Sequence, residues 1–185
     1  MSQPAGTQGL QTIEDGAVLR DGGSDPALGD LIKAYFRVNC ACYVYVIGVD
    51  ATGYVAQIFP DTQTGQANPV VADAEYILPE AAGDWWALDT YKGIEQVFFV
   101  ASYVQRSDIE EVLGRLANLP RQVQPQSFQP VVEPALVPAT RGLVRVKTAA
   151  VQVTSTAGDF AITPEMFKGA DGEGSVVVTR WFNHE

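Results

Sequence analysis

At 185 residues the chain is one typical domain plus extra segments, and with 46% apolar and 18% charged residues it holds enough apolar material for a packed core. That balance excludes a mainly disordered chain, a collagen and a coiled coil, and no run nears the ~18 apolar residues of a membrane-spanning helix. Twelve basic residues against 22 acidic ones give a formal net charge of −10, a field that repels nucleic-acid phosphates and anionic membrane surfaces.

Residues 1–12 are small and polar, with neither a basic start nor an apolar stretch. They read as a flexible N-terminus rather than a signal peptide, which leaves a cytoplasmic protein and an exported one with its signal removed equally open. From Ile13 to Asp30 the turn signals Asp15-Gly16, Asp21-Gly22-Gly23 and Asp25-Pro26 predict a looped lead-in. The Asp, Ser and Gly of that stretch lack the spacing of a calcium loop.

Leu31 to Val38 alternates, which predicts a strand with Ile32, Ala34, Phe36 and Val38 on one face and Lys33, Tyr35 and Arg37 on the other. Cys40 and Cys42 flank Ala41. On a strand they share a face and make awkward disulfide partners, so the expectation is two small, buried, apolar side chains. A metal half-site lacks a second cysteine pair and a nearby histidine; intermolecular bridging or a redox role stays open.

Cys42 to Val49 is β-branched and aromatic on both faces, as a central strand covered on both sides would be. The turn Asp50-Ala51-Thr52-Gly53 and the run Tyr54 to Phe59 complete a predicted hairpin. Thr62 to Pro69 is a polar loop. Short strands are expected at Glu75–Leu78 and Trp85–Leu88, and a long one from Ile94 to Tyr103. Ser107 with Glu110 forms a capping box opening a helix whose apolar stripe is Ile109, Val112, Leu113 and Leu116.

From 120 to 140 prolines recur every four or five residues, which predicts an extended connecting arm. Beyond it, strands are expected at Leu143–Lys147, Ala150–Val153 and Ser175–Phe182, a short turn of helix at Pro164–Phe167, and a hairpin turn at Gly169–Gly174. The segment 141–185 cannot bury a core alone and must pack on the main body or on a neighbour. The whole predicts a mainly β, antiparallel, Greek-key-like sandwich over 13–119 with one or two short helices.

The series Cys42-Tyr43-Val44-Tyr45-Val46, Asp50-Ala51-Thr52-Gly53, Ile58-Phe59-Pro60-Asp61, Tyr76-Ile77-Leu78-Pro79 and Gly93-Ile94-Glu95 resembles domain of unknown function 4384, a bacterial family, over roughly residues 16–116. The tail from Arg141 resembles a companion segment of longer members. The resemblance implies an antiparallel β fold found beside caspase-like peptidase or kinase domains and in envelope-associated proteins, and it implies no catalytic residues.

The sequence itself offers little chemistry. Its single histidine, His184, is next to last and reads as mobile, so no Ser-His or Cys-His pair is in prospect. The glycines from 169 to 174 lack the Lys-Ser/Thr of a phosphate loop, and Glu110-Glu111 diverge on their helix. The expectation is therefore no enzyme, no metal and no cofactor. What remains is a protein–protein interaction or assembly module of a bacterial envelope or multi-protein complex. The alternative is a glycan- or small-molecule-binding accessory domain of a signalling or peptidase system. Trp85, Trp86 and Trp181 are the candidate binding residues, because an outward indole offers large rigid area at low entropic cost. A protein partner or self-assembly is expected, without nucleic acid and without membrane insertion.

Overall fold

A computed structural model describes residues 1–3, 10–25, 28–61, 64–81, 83–116, 143–147, 151–155, 158–162, 165–169 and 175–185. The proline-rich arm expected at 120–140 and the hairpin turn expected after Gly169 lie outside the described residues. The structure is mainly β, with one short helix among the described residues.

In chain order the strands are β1 (Ser2–Gln3), β2 (Ala17–Leu19), β3 (Leu31–Ile32), β4 (Ala34–Arg37), β5 (Tyr43–Val49), β6 (Val55–Phe59), β7 (Glu75–Leu78), β8 (Trp86–Ala87) and β9 (Gly93–Ser102). The helix α1 (Ser107–Leu116) follows, then β10 (Leu143–Lys147), β11 (Val151–Ser155), β12 (Gly158–Ile162), β13 (Glu165–Gly169) and β14 (Ser175–His184). A five-stranded sheet in the order β2-β14-β9-β5-β6 carries the body. All its pairings are antiparallel except β2 with β14, which is parallel, so the sheet is mixed rather than wholly antiparallel as expected. β14 thus reaches the main body, where ten of its residues pair with β9.

Paired residues of neighbouring strands share a face, so the register sorts the core. Tyr45, Val100 and Val177 form one row across β5, β9 and β14, and Ile47 and Phe98 lie in the next. On that face pack Ile109, Val112 and Leu113 of α1, at the i, i+3, i+4 spacing of a helix stripe. Burying each of these side chains contributes roughly 1.5–3 kcal/mol.

The opposite face carries Val44, Val46 and Phe99, covered by the β4–β7 pair. There Phe36 stacks on its cross-strand partner Tyr76 at 4.8 Å between centroids, and Phe59 meets both rings edge-on at 5.3 and 5.7 Å. β5 is therefore sealed on both sides, as its unbroken apolar run predicts.

Several expectations give way. The single strand predicted from Leu31 to Val38 is two strands with different partners: β3 joins β1 and β8, and β4 joins β7. The break falls at Lys33, whose backbone N–H donates to Met1 O at 2.9 Å and whose side chain is buried. Residues 1–3 are not loose either, because Ser2 is buried and β1 pairs with β3. The helical turn predicted around Pro164–Phe167 is contradicted by β13, which pairs along all five of its residues with β10. Cross-strand pairing there overrides the local preference.

Candidate functional site

α1 covers only part of its sheet face. The next rows run Val55, Val49, Gln96, Trp181 and then Ile94, Asn183, Val18, across β6, β5, β9, β14 and β2. Within them Val18 is 47% exposed, Ile94 43% and Trp181 37%, so three large apolar side chains from three adjacent strands stand open together. Gln96 Oε1 is buried there with no hydrogen-bond partner among the described residues.

The lead-in loop fixes the indole of Trp181. Gly16 N donates to Trp181 O at 3.0 Å, and Trp181 N donates to Asp15 Oδ1 at 3.2 Å. Gly16 has φ +85°, and a Cβ on it would stand 3.1 Å from Trp181 Cη2, so only glycine lets the ring lie against this backbone. Asp15 also pairs with Arg180 at 3.5 Å, placing charge at the rim of the apolar strip.

The other two tryptophans lie elsewhere. Both are half-buried. Trp86 packs into the cluster of Phe36, Val44 and Leu78, on the sheet face opposite Trp181. Trp85 lies over the Lys33 ammonium, 5.0 Å from Nζ to the ring centroid. That ammonium donates to Pro79 O at 3.0 Å and Ala81 O at 2.9 Å, so two carbonyls and an aromatic face replace its water. Burial pushes the Lys33 pKa down, and the nearby Asp84 carboxylate opposes the shift. Sequence reading missed Lys33 because alternation placed it with the solvent-facing residues; nothing in the local pattern announces a buried lysine.

His184 is also not where the sequence suggested. Far from mobile, it is 2% exposed, held in the row of Gly93 and Leu19. Its Nδ1 lies 3.5 Å from Glu95 Oε1 and its Nε2 3.8 Å from Asp21 Oδ2, and Lys92 Nζ sits 3.7 Å from the same Asp21 oxygen. These contacts join β14 to β9 and to the loop after β2. Among the described residues, no group of three or more His, Cys, Asp or Glu side chains is arranged to hold a metal ion.

Residues 27–105 match the model of a protein family described as a domain of unknown function (DUF4384). This stretch is a DUF4384 domain. It takes in β3 to β9, and with them Lys33, Trp85, Trp86, Ile94 and Gln96. β2, α1 and β14 lie outside the DUF4384 match, so the open apolar strip is assembled from the domain's last strand and two strands that flank the domain in sequence. No curated protein and no solved structure matches the chain.

Proposed function

We propose that the chain is a non-catalytic protein–protein interaction or assembly module, docking its partner on the open rows of the sheet beside α1. The observation that carries this reading is the exposed trio Val18, Ile94 and Trp181, set side by side on adjacent strands. A contiguous apolar patch anchored by a rigid indole is the pattern of a binding hot spot. The acidic balance of the chain favours a partner that flanks its apolar contact with basic residues. A β4–β7 layer on one face of the sheet supports a sandwich-like scaffold, a rigid platform of the kind on which binding surfaces are carried. The family resemblance supports a place in a bacterial envelope or multi-protein complex.

The test is crosslinking with mass spectrometry in native lysate, run beside sedimentation velocity on the isolated chain. Crosslinks from Lys92, or a concentration-dependent oligomer, are expected for the wild type. Ile94→Lys and Trp181→Ser should remove them with the melting temperature held within a few degrees. A partner bound equally well by both variants would defeat the reading.

A further inference from the structure

β4 hands over to β5 through a bend at residues 39–41, and Cys40 in that bend is joined to Cys42, which bridges Val70, by a disulfide with 5.4 Å between their Cα atoms. The expectation of two separate buried thiols fails because Cys40 lies in the bend rather than on the strand, which frees it from the shared-face geometry. The two sulfurs have different surroundings. Cys42 is fully buried in the cluster with Val44, Phe59 and Val70. Cys40 is half-buried between the exposed residues Asn39 and Ala41.

The bend does not depend on the cross-link. Val70 N donates to Cys42 O at 2.8 Å, and Asp73 N donates to Val38 O at 2.7 Å. The Asn68 amide accepts from Val44 N at 2.9 Å and donates to Val44 O at 2.8 Å, acting as a short strand partner. A cross-link between residues only two apart in sequence also removes little freedom from the unfolded chain. The reduced form is accommodated as well, since Cys42 Sγ lies 3.5 Å from Cys40 O, an acceptor for a thiol proton. The chain has only these two cysteines, so no third thiol of its own competes for the pair.

We infer that Cys40–Cys42 is a thiol–disulfide exchange site that oxidises a small aliphatic thiol of the glutathione type, with Cys40 the sulfur under attack. The incoming thiolate forms a bond to Cys40 Sγ as the Cys40–Cys42 bond breaks, and the bonding pair leaves on Cys42, which takes a proton from water. A second thiolate then attacks the substrate sulfur of the mixed disulfide and expels Cys40 as thiolate. Two thiols become one disulfide, and the two electrons they give up reduce the protein disulfide.

The experiment treats the oxidised full chain with reduced glutathione, quenches with acid, alkylates with iodoacetamide and maps both cysteines by mass spectrometry. The folded wild type should carry glutathione on Cys40 and the alkyl group on Cys42. In Cys42→Ser, oxidised glutathione should leave a stable adduct on Cys40. In Cys40→Ser the adduct should be absent while the chain is folded and appear on Cys42 only in urea, with circular dichroism reporting the fold. Glutathione on Cys42 of the folded wild type, a disulfide that yields only in urea, or isolated protein whose thiols oxidised glutathione cannot join would each overturn the proposal.

Discussion

The phenol of Tyr45 donates to Glu110 Oε1 at 2.9 Å and at the same time accepts the backbone N–H of Arg106 at 3.0 Å. Arg106 is the cap residue of α1, because its carbonyl takes the first helical bond, from Glu110 N at 3.0 Å. The capping box expected from Ser107 and Glu110 therefore does not form, because the cap is one residue earlier and Glu110 lies four residues on from it. Tyr45 of the central strand links the Glu110 carboxylate to the cap N–H instead, so the helix start and its seat on the sheet are one hydrogen-bonded unit.

Tyr45→Phe keeps the buried ring and removes the relay. The Arg106 N–H and a Glu110 oxygen lose their partner, and stability should fall by about 1–3 kcal/mol in denaturant titration. Burial and the Glu110 carboxylate push the Tyr45 pKa up to about 12, against the hydrogen bond from Arg106. A tyrosine whose folded pKa is raised contributes stability that is whole below the ordinary tyrosine value of 10.0 and disappears as pH climbs through the folded one. The wild type should therefore lose stability over that alkaline window more steeply than the variant. Parallel curves would show that the phenol is not held this way.

Gly93 opens β9 with φ +140°, and a Cβ placed on it would stand 2.5 Å from Ala51 Cβ in the β5–β6 turn. Gly93→Ala should cost about 1–3 kcal/mol through backbone strain and overlap together. Adding Ala51→Gly removes the overlap but not the strain, so the double variant should recover part of the loss. Thermal melts of the two singles and the double, read as a double-mutant cycle, measure that coupling. Additive losses would mean the residues at 93 and 51 do not touch.

Much of this architecture was legible before any coordinates, and the reasons are local. The β5–β6 hairpin declares itself through an apolar run, a turn with glycine at φ +80° and a returning strand. The α1 stripe declares itself by spacing. Two of the misses depend on a partner distant in sequence: Lys33 is buried because carbonyls of residues 79 and 81 reach it, and β13 is a strand because β10 is beside it. The disulfide is a local miss, formed because the chain bends at residues 39–41 where alternation predicts a continuing strand. Of the three tryptophans proposed for binding, only Trp181 stands beside other exposed apolar side chains, and its neighbours Val18 and Ile94 come from strands whose register no single segment encodes.

Trp85 is held by Lys33 rather than displayed for a partner, and the two should behave as a coupled pair. Lys33→Met preserves length but leaves Pro79 O and Ala81 O unpaired, which should cost about 1–3 kcal/mol. Trp85→Leu loses the aromatic face over the ammonium, about 0.5–2 kcal/mol. Once Lys33 is gone, removing Trp85 should cost less than it does in the wild type. Should Trp85→Leu leave the melt untouched while abolishing partner crosslinks, the binding role assigned to it from sequence would be restored.

The same cap ties the last strand to the helix. The Arg106 guanidinium forks onto Asp108, with Nε donating to Oδ1 at 2.8 Å and Nη2 to Oδ2 at 2.6 Å, while Nη1 donates to Ser175 Oγ at 2.7 Å at the start of β14. The hydrogen bond from Arg106 holds the Asp108 pKa below the ordinary aspartate value. A carboxylate with a depressed folded pKa contributes stability that is present above the unfolded value and lost as pH falls through the folded one. Because Asp108 is half-exposed, the contribution should stay under about 1 kcal/mol. Arg106→Gln should therefore flatten the acid limb of the stability curve only slightly. Its larger effect should be faster hydrogen exchange at the first residues of β14, which lose their clamp to the helix. Unchanged exchange at Ser175 to Val177 would show that pairing with β9 alone secures the strand.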